Sequence, residues 1–471
     1  MPHHGAAPSR PHARRRRPLA ALLGAGLVVA LATSACGGGS APSSSRKPAP
    51  AATMPAGPAC IQPENGGGCL QLAPGDKRVD LTRPSFSNPT SITNPLHPSS
   101  RLAQVIYGGQ VDGKPLRTEF TRLPGTKTIT WDGQRVETVV LQYLNYLDGR
   151  IEEVALDWFA QADDGAVWYF GEDVFNYADG AVADTKGSWI AGKGGPPAMI
   201  MPASPKVGNV YRSENIPAVV FEEVTVKTVG QTVPGPSGPV SGALTASELH
   251  FDGKREDKVF APGYGEFSTG DPKGDLELAS LAVPTDARPG PLPAKLTALS
   301  SAVRAAFDRV GGNDWSGAAT ATKRLRQAWD AYRSDGVPDQ LVAQMRRDID
   351  TLAGAVAARG PTEARAAALR VAQNDLDLQL RHRPVVEIDL ARLRLWARQL
   401  QVDTAANDPG AVAGDVTTME WIRDRVRHTL DQATAARVDE QLRELRAAAD
   451  NHDVPAAAKA AAALLKTLAA A

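Results

Sequence analysis

Ten carboxylate side chains lie within residues 148–184, and Arg150 is the one basic residue in that stretch. Clusters of carboxylate oxygens suit calcium or magnesium, although this stretch lacks the ordered spacing of a calcium-binding loop. Paired carboxylates can also do acid–base chemistry, and acids that alternate along a strand can simply line its solvated face. Glu172 and Asp173 are the first candidates for a ligand or cation site, and Glu266 is a further one.

The histidines give weaker evidence of a functional site than these carboxylates do. The chain has five histidines after residue 36, and none has the His-Glu-x-x-His spacing of a zinc protease. Asp375 and His382 are seven residues apart, which on a continuous helix puts them on one face. They are weak metal candidates, and a hydrogen bond between packed helices is the alternative. Because Gly-x-Ser-x-Gly, Walker and dinucleotide-binding motifs are absent, no catalytic residue is predicted.

The N-terminus has the organisation of an export signal. Arg10 and residues 14–17 form a basic start, and residues 19–32 form an apolar run. This run of 14 residues is too short to span a membrane, which takes about 20 apolar residues. We therefore predict that residues 1–35 are a signal peptide.

The small residues 33–35 directly before Cys36 resemble a bacterial lipobox. The resemblance implies cleavage before Cys36, acylation of that cysteine and attachment to the outer face of the cell membrane. Ordinary secretion, with Cys36 as a free or paired thiol, is the alternative. The first 35 residues hold five arginines and no acid, so their removal leaves 47 basic residues against 52 acidic ones. This acidic balance disfavours nucleic acid as a partner.

Residues 36–75 are rich in Gly, Pro, Ala and Ser, which predicts a flexible, lipid-anchored tether. Cys60 and Cys69 lie within it, with eight residues between them. In an oxidising compartment they suit one local disulfide, and two unpaired thiols are the alternative.

The pattern of apolar and polar residues changes twice after residue 75. Residues 76–285 carry alternating apolar and polar runs that end at Gly, Asp-Gly or Pro, which predicts an antiparallel sheet. Residues 286–296 are a proline-rich linker, and residues 297–471 have helical spacing. We predict an α+β protein of two domains: an antiparallel curved β-sheet, either a half-barrel or a sandwich, followed by an all-α domain.

Turn signals recur in the helical part at residues 311–314, 358–361, 406–409 and 451–455, at spacings close to 47 residues. Each repeat is long enough for two helices joined by a short turn, so four helical hairpins are predicted. Two four-helix bundles and a short solenoid both fit this pattern.

Several blocks in the middle of the chain are distinctive: VWYFGEDV, GSWIAG, MPASPKVGNVYR and APGYGEF. Together they resemble a β domain that recurs in secreted and lipid-anchored bacterial proteins of unassigned function. The APGYGEF block also resembles strands of curved-sheet envelope proteins of the lipoprotein-carrier type, which implies an apolar groove. The loop around Trp189, Met199 and Met201 fits either a folded cover on the sheet or a lid with ligand contacts.

The predicted function is that of a cell-envelope lipoprotein that binds a ligand or a partner protein without catalysing a reaction. Its predicted partners are the membrane, through the N-terminal lipid, and an apolar ligand or an envelope protein. No cofactor is predicted. Metal handling with a divalent cation is one alternative function, and an envelope-acting hydrolase is another.

Overall fold

The computed structural model describes residues 53–217, 219–288 and 290–470. The predicted signal peptide, Cys36 and the first part of the predicted tether lie outside these residues. Within them the α+β class is confirmed: an antiparallel curved sheet comes first and eight helices follow. The strands are β1 (Gln104–Val111), β2 (Lys114–Trp131), β3 (Gln134–Leu147), β4 (Arg150–Gln161), β5 (Val167–Ala178), β6 (Ala181–Asp184), β7 (Trp189–Ile190), β8 (Ala198–Met201), β9 (Val210–Ile216), β10 (Val220–Gly235), β11 (Gly238–His250), β12 (Arg255–Ala261), β13 (Gly265–Gly270) and β14 (Leu276–Val283).

The sheet is built from hairpins between neighbouring strands, so its order follows the chain closely: β6-β5-β4-β3-β2-β1-β14-β13-β12-β11-β10-β9. Four hairpins turn at an Asp-Gly pair in which both residues have positive φ. Asp-Gly favours this turn because it suits the right-handed twist of the flanking strands. The aspartates of these turns are Asp112, Asp132, Asp148 and Asp179.

The sheet curls until strands from its two ends share one core. Tyr169 on β5 and Trp189 on β7 belong to the same apolar cluster as Tyr211 on β9 and Val224 on β10. These side chains lie on the face of the sheet that we call the inner face. Leu144 and others on the opposite, outer face pack against helices.

Part of the predicted tether packs on the sheet. Ile61 and Leu70 are buried with Phe221 and Leu249, because apolar side chains interrupt the Gly/Pro-rich composition there. Cys60 and Cys69 form a disulfide, with 5.1 Å between their Cα atoms.

The helices form four hairpins, as predicted. Asp408 caps one helix by accepting from the backbone N–H of Ala411 at 2.9 Å, and Pro409 opens that helix. The last strand ends at Val283 and the first helix begins inside the predicted linker. The helices are α1 (Ala294–Gly311), α2 (Trp315–Tyr332), α3 (Asp339–Ala358), α4 (Pro361–Gln379), α5 (Val385–Ala405), α6 (Pro409–Val426), α7 (Gln432–Asp450) and α8 (Val454–Ala470).

The helices divide into two groups of four, each with its own apolar core. One core joins α1–α4, and the other joins α5–α8 with outer-face side chains of the sheet such as Leu144 and Val154. This arrangement is that of two four-helix bundles rather than of a solenoid. No helix within the described residues is both long and apolar enough to cross a membrane.

A buried ionic network joins the helices to the sheet. Arg392 on α5, which is fully buried, contacts Asp377 on α4 at 2.7 Å and Asp389 at 2.8 Å. Glu119 on β2 accepts from Arg117 at 2.6 Å and also pairs with Arg425 on α6. Burial alone would raise the pKa of Glu119, but the three neighbouring guanidinium groups hold it far below its usual range. The network contains three arginines and three carboxylates, so its charges balance. It holds the helices against the outer face of the sheet.

Candidate functional site

The inner face of the sheet carries a cluster of ionisable side chains that we call the acidic chamber. Its members come from eight strands, β4, β5 and β9–β14, and β13 and β14 each contribute one glutamate. They alternate with apolar residues that fill the rest of the inner face. The chamber consists of Asp157, Glu172, Glu214, Glu222, Glu248, His250, Lys258, Glu266 and Glu277.

Strand pairing accounts for this gathering, since residues directly opposite each other in a sheet share a face. Asp157 pairs with Glu172, and Glu222 pairs with both Glu214 and His250. The curl of the sheet then brings β5 to β9, where the carboxyl groups of Glu172 and Glu214 share a hydrogen bond. The chamber is therefore continuous across strands that are far apart in the sheet order.

The chamber carries more acid than it can hold ionised. Burial, together with the neighbouring carboxylates, raises the pKa of Glu214 to about 8 and that of Glu248 to about 7. Burial is also the main cause that raises the pKa of Asp157 and of Glu277 to about 7 and that of Glu172 well above its usual value. Carboxyl groups that retain protons near neutral pH can exchange them for a bound cation.

Two cations lie among the carboxylates. Lys258 Nζ is 2.8 Å from Glu248 Oε2 and 3.2 Å from Glu266 Oε2. Burial would lower the pKa of Lys258, but Glu248, Glu266 and Glu222 outweigh it and raise that pKa. His250 behaves in the same way: burial alone would lower its pKa, and its hydrogen bonds to Glu222 and Glu256 raise it to about 10.

His250 stands at the centre of a group with metal-ligand chemistry. Its Nδ1 lies 3.0 Å from Glu222 Oε1, and its Nε2 lies 3.7 Å from Glu248 Oε2. One ligand atom from each of these three side chains lies within 4.8 Å of the others, and the described residues contain one such group. The hydroxyl of Ser213 is 3.3 Å from Glu222 and 3.1 Å from Glu248, so it orients both carboxylates.

Solvent reaches this group. The side chains of His250 and Glu222 are 26% and 25% exposed, whereas Glu248 behind them is 2% exposed. Glu248 is therefore buried behind two side chains that solvent can reach, and an ion can enter the group from the side of His250 and Glu222.

The residues singled out from the sequence have separate locations. Glu172 and Glu266 lie in the acidic chamber, but Asp173 lies on the outer face, 51% exposed and 3.5 Å from Lys127 Nζ. Consecutive residues of a strand point to opposite faces, so Glu172 and Asp173 cannot act as a pair on one ligand.

The residues of the predicted cover or lid are buried in the main core. Trp189 packs edge-on against Tyr169 with 5.2 Å between ring centroids, and β7 and β8 both pair with β5. Met199 is 5% exposed and Met201 is inaccessible. This loop is a packed wall of the sheet in the structure.

Asp375 and His382 do not share a helical face, because α4 ends at Gln379 and His382 lies beyond it. Asp375 accepts hydrogen bonds from Ser300 at 2.7 Å and from Gln379 at 2.8 Å. The metal-ligand group of the described residues is elsewhere, at Glu222, Glu248 and His250.

Sequence reasoning missed Glu214, Glu222, Glu248, His250 and Lys258. A signal was present: Glu248 and His250 are two residues apart in a run that also carries apolar residues, so they share one face of a strand. What the sequence lacks is any indication that this face is the inner one.

The sequence matches no protein-family model and no curated protein.

Proposed function

We propose that this protein is a non-enzymatic binding protein of the cell envelope that holds a divalent transition-metal ion in the acidic chamber. The observation that carries the proposal is the convergence of Glu222, Glu248 and His250 in a site that is acidic overall. An imidazole beside two carboxylates suits zinc better than calcium, which prefers oxygen ligands alone.

The rest of the inner face argues for a cation over an apolar ligand. Aromatic and aliphatic side chains from both ends of the sheet fill that region by packing on one another. The accessible part of the inner face is the polar part, where His250 and Glu222 are about a quarter exposed. A ligand that enters here meets carboxylates first.

Zinc titration of the full-length protein tests the proposal. After treatment with a chelator, isothermal titration calorimetry should show one zinc ion bound per chain. Glu248→Gln and His250→Gln should each weaken binding at least tenfold, because each removes one of three protein ligands. Asp173→Asn is the matched control, since it removes a carboxylate from the outer face and should leave zinc affinity unchanged. Absent uptake, or equal affinity in Glu248→Gln, would contradict the proposal.

The membrane anchor is a second part of the proposal and rests on the sequence around Cys36. Labelling with a palmitate analogue in an export-competent bacterium should mark the wild-type chain, and the modified peptide should begin at Cys36. Cys36→Ala should abolish the label and release the protein from the membrane fraction. A Cys36→Ala chain that is still acylated would refute lipidation at this residue.

A further inference from the structure

A cavity of about 320 Å³ lies between the outer face of the sheet and helices α3, α4 and α5, and we call it the sheet–helix cavity. Its size is at the lower end of the range for small-molecule sites. The acidic chamber lies on the inner face, so a ligand in the sheet–helix cavity would not contact the proposed metal site.

Two arginines of the lining have no ion pair. Arg347 on α3 and Arg370 on α4 line the cavity, are exposed, and pair with no carboxylate among the described residues. Arg117, the third arginine of the lining, differs because Glu119 at 2.6 Å and Asp377 at 2.7 Å neutralise it. A guanidinium carries a fork of N–H donors that fits a carboxylate or phosphate group. Arg347 and Arg370 can therefore offer these donors to a ligand.

The two arginines come from different helices and lie near the same carboxyl group, that of Asp348. Both lower the pKa of Asp348, although burial outweighs them and raises that pKa overall. The Asp348 carboxylate accepts from Asn374 Nδ2 at 2.6 Å and pairs with neither arginine. Arg370 extends to the turn between β3 and β4, where a Cβ added to Gly149 would lie 2.6 Å from its Nη1. An anion in this part of the cavity is therefore attracted by both arginines.

Two carboxylates limit the charge that the lining can bind. Asp148 and Asp348 also line the cavity, and they offset part of the positive potential of the two arginines. A phosphate group carries up to two negative charges, so these carboxylates repel it more strongly than they repel a monoanion. The lining therefore favours a ligand with one carboxylate over a phosphate.

Apolar side chains form another part of the lining. Leu116 on β2, Leu369 on α4 and Leu395 on α5 are buried there. Trp396 lines the cavity while half-buried, and it stacks on Tyr146 with 5.4 Å between ring centroids. This stacking fixes the position of the indole ring. A ligand with an apolar body can pack against these side chains.

We propose that the sheet–helix cavity binds a small organic carboxylate with an apolar body, and that Arg347 and Arg370 bind its carboxylate group. The apolar body packs on Trp396 and the leucines, which adds to the free energy of binding. The proposal is independent of metal binding in the acidic chamber.

Matched ligands test whether the site recognises a carboxylate. Saturation-transfer NMR of the full-length protein at neutral pH compares benzoate, phenylacetate and hexanoate, each with its neutral primary amide. The amide keeps the shape of the acid and lacks its charge, so each carboxylate that binds should do so at least about tenfold more tightly than its amide. Equal binding of acid and amide, or no binding of any of these carboxylates at millimolar concentration, would overturn the proposal.

Variants test the roles of the two arginines. Arg347→Gln and Arg370→Gln should each weaken binding of the tightest carboxylate about tenfold and reduce its dependence on salt. Arg346→Gln is the matched control, because Arg346 is exposed on the same helix, lies outside the lining and changes the net charge equally. Asp348→Asn should strengthen binding, since it removes a carboxylate and keeps an oxygen that can accept from Asn374. Unchanged affinity in Arg347→Gln and Arg370→Gln, or an equal loss in Arg346→Gln, would refute the site.

Discussion

Arg392→Met tests whether the sheet and the helices are locked together by the buried ionic network. Arg392 is fully buried and donates to Asp377, Asp389 and Gln104 at 2.7–2.8 Å. Without it, two cations face three anions, and one buried carboxylate is left without compensation. Breaking a buried ion pair in this way costs about 3–5 kcal/mol. This is a large part of the total stability of a typical domain, about 5–15 kcal/mol.

The assay is urea unfolding followed in parallel by tryptophan fluorescence and far-ultraviolet circular dichroism. Arg392→Met should lower the free energy of unfolding by the stated amount. The double variant Arg392→Met/Asp377→Asn restores the charge balance and should recover part of the loss. Arg443→Met is the control, because Arg443 is 68% exposed and its pair with Glu440 lies on the surface. A loss in Arg392→Met no larger than that of the control would refute the reasoning.

Two further predictions concern the inner face and the contact of the sheet with α6. Because burial raises the pKa of Asp157 to about 7, the folded chain binds a proton there that the unfolded chain releases near pH 4. The contribution of Asp157 to stability therefore falls as pH rises from about 4 to about 7, and Asp157→Asn should remove about 3 kcal/mol of pH dependence between pH 5 and pH 8. Urea midpoints of both proteins at pH 5 and pH 8 measure it. Gly180→Ala should destabilise the fold by about 1–3 kcal/mol beyond the strain of its positive φ, because the new Cβ would lie 2.3 Å from backbone atoms of Gly410 and Gly414. Thermal unfolding measures this loss.

Each of these predictions has its own control. Asn can accept the 2.7 Å hydrogen bond from Tyr169 that Asp157 now accepts, so a difference that is flat with pH would contradict the assigned pKa. Gly113 also has a positive φ in an Asp-Gly turn, but nothing lies within 4 Å of its Cβ position. Equal losses in Gly113→Ala and Gly180→Ala would show that backbone strain, rather than contact with α6, sets the effect.

The local features of this protein were predictable because they depend on residues close in sequence. Turn signals such as residues 406–409 mark the hairpin α5–α6, and within this turn Asp408 caps α6 directly before Pro409. The apolar stripe of α6, from Val412 to Val426, is buried as helical spacing requires.

The candidate site was predictable only in part. Glu172 was identified from its place in an acidic stretch, but the stretch itself does not form the site. Its neighbour Asp173 faces outwards, and the partners of Glu172 include Glu214, which is 42 residues further along the chain. Composition shows that acids are abundant, whereas it does not show which strand will lie opposite them.

By itself, the sequence determined the antiparallel strands, the helical hairpins and the α+β class. These features depend on the spacing of apolar residues and on the residues in the turns, and both are local properties of the chain. Only the tertiary structure decided which face of the sheet is inner and that β5 meets β9. It also decided that Glu222, Glu248 and His250 converge there. These features depend on the curl of the sheet and on helix packing, which sum many weak contacts between residues far apart in the chain.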